Sequence, residues 1–167
     1  MSQQSVLASA AVLFCLATTT AAQPVGAVRP EHPDLRKMID DGVDRSATFE
    51  NLVVRLDATT LVVYVRFGRC AGAVAACMRL VASQGTTPRL LIVLDGFGRA
   101  RSDLIALVAH ELQHALEIAE APYVVDLPSF HHFYTTTGRR GTDGYETDAA
   151  IRVARTVASE LAKRRRR

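Results

Sequence analysis

An H-E-x-x-H segment at residues 110–114 constrains what this chain can fold into more than any other feature. Two histidines four residues apart on a helix lie on one face, about 40° apart around the axis and about 6 Å apart along it. His110 and His114 therefore offer two of the four ligands that a zinc ion needs, and Glu111 is a candidate base for activating water. The fold must then bring a third ligand to this face from elsewhere.

The sequence around this segment predicts a long amphipathic helix. Ser102 or Asp103 is suited to cap its start, and Pro122 ends it. On a helical wheel the two histidines lie opposite a broad apolar face, which consists of Leu104, Ile105, Val108, Leu112, Ala115, Leu116 and Ala119. We expect one side of the helix to pack in a core and the other to present polar ligands to a cleft.

The N-terminal end has the composition of a secretory signal peptide. The first 28 residues carry no charged side chain, and the apolar stretch from Val6 to Thr20 is short for a membrane span. The small residues before Gln23 suit a cleavage site near Ala22. We predict that residues 1–22 are removed on export to the periplasm or the cell exterior, and that no stable membrane span remains. The alternatives are an uncleaved anchor and a misassigned start of the chain.

The length that remains after signal removal, about 140 residues, indicates one domain. Residues 23–33 contain three prolines and are predicted to be a linker, residues 34–162 the domain, and residues 163–167 a basic disordered tail. That tail holds five of the 20 basic residues, which leaves 15 against 17 acidic ones in the rest of the chain. No basic face with interleaved aromatic residues accompanies it, so nucleic-acid binding is not predicted.

The remaining elements predict an α+β domain. Strands are expected at Leu61–Phe67, Met78–Ser83 and Arg89–Leu94, the last two joined by a hairpin loop. Two helices precede them, over residues 34–43 and from an N-cap at Ser46; an irregular stretch up to residue 144 and a helix over residues 145–163 follow the H-E-x-x-H helix. This order predicts helices packed on a small, largely antiparallel three-stranded sheet.

Candidates for the third metal ligand are Glu117, Glu120, Glu146, Asp148, His131 and His132. Glu117 lies one turn past His114, and a straight helix cannot place three successive turns on one tetrahedral ion. We therefore expect Glu117 to orient a ligand or to lie at the rim of the site. Asp148 aligns with Arg152 and Arg155, as an exposed charge that supports its helix would.

Glu146 is the strongest of these candidates. On the predicted last helix it shares a stripe with Ala150, Val153 and Val157, and an inward carboxylate is costly unless a cation or donor pairs it. A zinc ion would meet that need. The alternative is a capping box, in which Asp143 caps the helix and Glu146 occupies its third position.

A helix with His110, Glu111 and His114, followed some thirty residues later by a helix that carries a glutamate, resembles the gluzincin branch of zinc metallopeptidases. The resemblance covers about residues 60–162, and closely only the H-E-x-x-H segment and Tyr145–Asp148. It implies one zinc ion bound by His110, His114 and Glu146, with Glu111 as catalytic base and a peptide or protein as substrate. Many gluzincins carry an aspartate four residues after the third ligand, where this chain has alanine.

The same resemblance suggests how a substrate would be held. Apart from the resemblance, Tyr145, Tyr134, His131 and His132 lie in the flanking region, and any of them could donate to the developing oxyanion. For His131 and His132 the alternative is that they are exposed loop histidines. The strand before the H-E-x-x-H helix, Arg89–Leu94, would pair with an extended peptide.

Several alternatives stay open at the level of sequence. A zinc-binding exported domain without catalytic activity is the main one, although pure zinc binding needs no Glu111. A di-iron carboxylate protein would require a second Glu-x-x-His in a helix bundle, and the chain has none. An exported structural domain with an accidental motif would bind no stoichiometric metal. Cys70 and Cys77 could form a disulfide, which spacing alone does not decide.

Overall fold

The computed structural model describes residues 26–164, except residues 73, 85, 86, 142 and 143. The predicted signal peptide and Asp143 lie outside the described residues. The elements follow in the order β1 (Val28–Pro30), α1 (Pro33–Arg45), α2 (Ala47–Asp57), β2 (Val62–Phe67), β3 (Ala76–Gln84), β4 (Thr87–Leu94), α3 (Arg101–Ala119), α4 (Leu127–Thr137), β5 (Arg139–Arg140), β6 (Tyr145–Glu146) and α5 (Asp148–Arg164).

The main sheet has four strands in the order β1-β2-β4-β3, so the predicted three-stranded, largely antiparallel sheet is wrong. β1 pairs with β2 in parallel, and β2 pairs with β4 in parallel; only the β3–β4 hairpin is antiparallel. The three predicted strands and the hairpin between β3 and β4 are confirmed, but the parallel pairing of β2 was not predicted. β2 and β4 are nearly continuous apolar runs, which suit the buried middle of a sheet, and β3 packs outside β4 instead of between them.

The additional strand, β1, lies inside the segment predicted as a linker. Val28 is in register with Val63, and the peptide N–H of Val63 donates to the carbonyl of Ala27 over 2.8 Å. The N–H of Ala27 donates to the Asp57 carboxylate at the end of α2 over 2.7 Å. These bonds hold the short strand to the body of the domain.

Helices α1 and α2 begin close to where helical spacing places them, and the predicted N-cap of α2 is confirmed. The Ser46 hydroxyl accepts the N–H of Phe49 over 3.0 Å. From α5, Glu160 reaches the same end of α2, where its carboxylate accepts hydrogen bonds from the hydroxyls of Ser46 and Thr48. The carboxylate thus lies at the positive end of the α2 dipole.

Helix α3 carries the H-E-x-x-H segment through the centre of the molecule. Its N-cap is Ala100, two residues before Ser102 and three before Asp103, so the predicted caps are wrong, and no side chain caps the helix. It packs against the sheet, α2 and α5. Its buried side chains belong to the main core: Leu104, Ile105, Val108, Ala109, Leu112, Ala115, Leu116 and Ile118.

The stretch predicted to be irregular contains helix α4. Asp126 caps it: its carboxylate accepts the N–H of Ser129 over 2.9 Å, and the Ser129 hydroxyl accepts the N–H of Asp126 over 3.1 Å. The helix α5 starts later than predicted, and Glu146 lies on the two-residue strand β6 before it. Thr147 caps this helix, since its hydroxyl accepts the N–H of Ala150 over 3.1 Å.

A disulfide joins Cys70, in the loop after β2, to Cys77 in β3. Its two Cα atoms are 6.0 Å apart, and it closes the loop that leads into the edge of the sheet. Among the helices of the described residues, none combines the length and the apolar character needed to cross a membrane.

Candidate metal centre

Three potential ligand atoms converge where α3 meets β6. The Nε2 atoms of His110 and His114 are 3.2 Å apart. The Oε2 atom of Glu146 lies 2.7 Å from the first and 3.7 Å from the second. Donors placed about 2.0–2.1 Å from a tetrahedral ion lie about 3.3 Å from one another, so the three spacings suit a single shared ion.

The Oε2 atom of Glu146 is the clearest indication that a cation could bind here. It is buried, and it finds no hydrogen-bond partner within the part of the chain that the structure describes. His110 is at ion-pair distance, but the two side chains are not in hydrogen-bonding orientation. A buried carboxylate oxygen without a donor is costly. These three residues therefore form a site that could hold a metal ion.

A chain of polar contacts orients His114. Its Nδ1 lies 3.0 Å from Oε2 of Glu117, and the Thr147 hydroxyl donates to Oε1 of Glu117 over 2.7 Å. With Nδ1–H donating to the carboxylate, the Nε2 atom faces His110 and Glu146, as a metal-binding imidazole requires. Glu117 thus lies beside a ligand, on the far side from the convergent atoms.

The electrostatics of the site favour a positive charge at its centre. Burial acts to lower the pKa of His114, but the hydrogen bond to Glu117 and the nearby carboxylate of Glu146 outweigh it and raise this pKa to about 9. Contact with His110, and then with His114, lowers the pKa of Glu146 to about 2. The carboxylates around the two rings therefore favour a positive charge at this point, as a proton or a metal ion would supply it.

Glu111 lies next to the convergent atoms and lines the cleft in front of them. Only 7% of the residue is exposed, and burial raises the pKa of its carboxyl group despite the lowering effect of His114 and His110. A carboxylate in this position can exchange a proton with a molecule in the cleft.

The cleft has a volume of about 1020 Å³ and runs between β3 and α4. Its walls are mostly apolar, and its polar end holds Glu111, His114 and Glu146. The apolar walls consist of Val74, Ala76 and Met78 on the β3 side and Leu127, Pro128 and Phe130 on the α4 side.

Of the four predicted oxyanion donors, the structure brings two to the cleft with free access. His131 and Tyr145 line it, with ring centroids 6.0 Å apart. Tyr134 also borders the cleft, but it is buried and its hydroxyl donates to the carbonyl of His114 over 3.2 Å. Its pKa is raised strongly by burial. His132 is exposed and does not line the cleft.

The other candidate ligands lie away from the centre. Glu120 is ion-paired with Arg55 over 2.5 Å, and Asp148 pairs with Arg139 at the surface. Thr147 was not among the predicted site residues, although a threonine directly before a run of helix-forming residues is a typical N-cap signal.

The predicted peptide-binding strand also needs correction. Arg89–Leu94 belongs to β4, which pairs with β2 on one side and β3 on the other and so has no free edge for a substrate. β3 is the outer strand, and its residues Ala76, Cys77 and Met78 line the cleft.

Comparison with known proteins adds no relative to this geometry: no family model matches the chain, and neither a curated protein nor a solved structure shows significant similarity to it.

Proposed function

We propose that this protein is a zinc-dependent hydrolase that cleaves peptide bonds, with Glu111 as general base. The observation that carries the proposal is the convergence of His110, His114 and Glu146, with a buried carboxylate oxygen that lacks a hydrogen bond, beside a second carboxylate facing a cleft. A purely structural site would have no use for the carboxylate of Glu111.

The donor set favours zinc over magnesium and calcium. Two imidazole nitrogens and one carboxylate oxygen form the ligand set of many catalytic zinc sites, which keep a fourth position open. Magnesium and calcium prefer oxygen ligands throughout, so the two histidines disfavour them. A zinc ion held there would supply Lewis-acid chemistry, polarising a carbonyl group and lowering the pKa of water.

The side chains around the site would then transfer protons, orient the ligands and bind the substrate. Glu111 accepts a proton from the attacking water and passes it to the leaving amine nitrogen. Glu117 keeps the Nε2 atom of His114 directed toward the other two ligands. Tyr145 and His131 are within the cleft and can donate hydrogen bonds to the developing oxyanion.

A peptide is the substrate class that the cleft favours. The outer strand β3 forms one wall and is paired on one side only among the described strands. An extended peptide can add to such an edge through main-chain hydrogen bonds, while apolar walls take up its side chains. The Cys70–Cys77 disulfide supports export to an oxidising compartment, as the N-terminal composition predicts.

The test combines metal analysis with peptide cleavage. Purified protein should contain one zinc ion per chain and cleave members of a peptide library detected by mass spectrometry. Glu111→Gln should keep the zinc and lose activity by about 10²–10⁴-fold, the range of general acid–base catalysis. Glu120→Gln, on an exposed carboxylate after the same helix, is the matched control and should cleave like the wild type.

The outcomes separate the two functions that the site supports. Stoichiometric zinc with no cleavage of any peptide would favour a non-catalytic zinc-binding domain. Unchanged turnover in Glu111→Gln would overturn the assigned mechanism, and an absence of bound zinc would overturn the metal centre itself.

A further inference from the structure

Thr147 connects two parts of the centre that are far apart in sequence. It directly follows Glu146 and directly precedes α5, and its hydroxyl reaches across to Glu117 on α3. The same hydroxyl accepts the N–H of Ala150, as an N-cap does. One side chain thus contacts the segment that supplies the third ligand and the carboxylate that orients the second.

The direction of these hydrogen bonds is determined by their partners. A peptide N–H can only donate, so the Thr147 oxygen accepts from Ala150 and must direct its single proton elsewhere. That proton goes to Oε1 of Glu117, 2.7 Å away. The other oxygen of Glu117 then accepts from Nδ1 of His114, 3.0 Å away. The order of donors therefore runs from α5 through Thr147 to Glu117, and from the imidazole of His114 to the same carboxylate.

Glu117 is well placed to transmit this constraint. Its side chain is 13% exposed, and the Gln113 side chain is a further donor at the long distance of 3.5 Å. Without the threonine hydroxyl, Oε1 of Glu117 would lose its shortest hydrogen bond and the carboxylate could rotate. A rotated carboxylate would no longer hold the ring of His114 in the orientation that aims Nε2 at Glu146.

On the basis of the metal centre proposed above, we propose that Thr147 is a positioning residue for zinc binding. Its hydroxyl holds Glu117 and thereby His114, while its place in the chain brings Glu146 to the same point. The ligand set is then assembled when the β6–α5 segment docks on α3. Docking brings Glu146 to the centre together with Thr147, whose hydroxyl holds Glu117 and so orients His114.

The experiment measures the affinity of chelator-stripped, full-length protein for Zn²⁺ by competition with a chromophoric chelator. Thr147→Val removes the hydroxyl at nearly constant shape and should raise the zinc Kd about 10–100-fold, the usual effect of losing an outer contact to a ligand. Thr147→Ser keeps the hydroxyl and should restore the wild-type Kd within about threefold. Thr156→Val, on an exposed threonine of α5 that bonds its own helix, is the matched control and should leave the Kd unchanged.

A double-mutant cycle distinguishes positioning from helix capping. Glu117→Ala alone should weaken zinc binding, and adding Thr147→Val to it should cause no further loss, because the hydroxyl then has no carboxylate to hold. If the hydroxyl acted only as a helix cap, the metal-free variants that lack it would unfold at a lower temperature, and the zinc Kd of the folded protein would not change. That result, or strictly additive losses of affinity, would overturn the inference.

Failure of the proposed metal centre would look different. The wild-type protein would then bind no stoichiometric zinc, a result that would overturn the metal centre and, with it, the role of Thr147. Wild-type protein that binds zinc tightly, together with a Thr147→Val variant of equal Kd, would instead retain the centre and reject the role of Thr147.

Discussion

At the scale of single residues, the metal centre depends on Glu146 more than on any other side chain. The two histidines are brought together by the helix itself, because positions four apart always lie on one face. Glu146 comes from another element, and nearly half of its side chain is exposed while its Oε2 atom is buried against both rings. Its position is therefore a product of the tertiary fold.

Replacing this ligand should abolish tight metal binding. Glu146→Gln keeps the shape of the side chain but removes the anionic charge, so the zinc Kd should rise by more than the roughly 100-fold upper range of outer contacts. Zinc content after dialysis is the measurement. Asp148→Asn, on an exposed carboxylate two residues further on, is the control and should retain zinc. Stoichiometric zinc in Glu146→Gln would reassign the third ligand.

At the scale of elements, the contact between Glu160 on α5 and the start of α2 joins the last helix to an early one. The hydroxyls of Ser46 and Thr48 and the N–H of Thr48 all donate to this one carboxylate. Burial acts to raise the pKa of Glu160, but these hydrogen bonds outweigh it, and the net shift is downward from 4.5. The fold therefore favours the ionised form.

This shift predicts a pH dependence of stability. Because the pKa of Glu160 is lower in the folded than in the unfolded protein, its contribution is present above about pH 4.5 and is lost as the pH falls through the folded-state pKa. Glu160→Gln should lose about 1 kcal/mol at neutral pH and should show a flatter decline below about pH 4.5. Urea unfolding at several pH values measures both effects.

A matched control separates the effect of the Glu160 hydrogen bonds from the effect of a negative charge near the start of α2. Glu50→Gln changes an exposed carboxylate in the first turn of the same helix, α2, and should alter stability by only a few tenths of a kcal/mol. If Glu50→Gln and Glu160→Gln behaved alike at every pH, the hydrogen bonds to Ser46 and Thr48 would contribute nothing beyond charge.

The elements that sequence analysis predicted well are those with strong local signals. Helix α3 has a long apolar face, and Ser46 is a typical cap, so both were predictable from neighbours in the chain. Helix α4 was missed because its aromatic and β-branched residues have low helix propensity. Asp126 and the proline after Leu127 were nevertheless a valid start signal, since proline suits the first turn of a helix.

Sheet topology could not be read from local signals. The β3–β4 hairpin follows from adjacent strands and a short loop, but the parallel pairing of β2 with β4 joins residues about 27 positions apart. Likewise, β1 has three residues and ends in a proline, so only its pairing with β2 makes it a strand. Glu146 was selected by its place on a helical stripe, whereas it lies on β6, just before that helix.

At the scale of the whole molecule, the candidate metal centre joins two segments that the chain connects through α4 and the β5–β6 hairpin. His110 and His114 on α3 lie about thirty residues before Glu146 on β6. A ligand set of this kind does not exist in the unfolded chain, so binding of the proposed metal ion would add to the free energy of unfolding.

Metal removal should therefore destabilise the entire domain. With free zinc at about 100 times its Kd, the gain relative to the metal-free protein is about 2.7 kcal/mol. Thermal unfolding after treatment with a chelator should show a lower Tm, and added Zn²⁺ should restore it. Mg²⁺ is the control and should have no effect, because it prefers oxygen ligands. Equal Tm values with and without zinc would contradict the bridging role.

The apolar walls of the cleft come from segments that do not supply the candidate metal ligands. His110 and His114 belong to α3 and Glu146 to β6, whereas the apolar walls belong mainly to β3 and α4. Under the proposed peptidase function, substitutions in these walls, such as those at Met78 or Phe130, can change selectivity without altering the candidate ligands. For an engineer who seeks a new cleavage preference, α4 is accordingly the place to randomise.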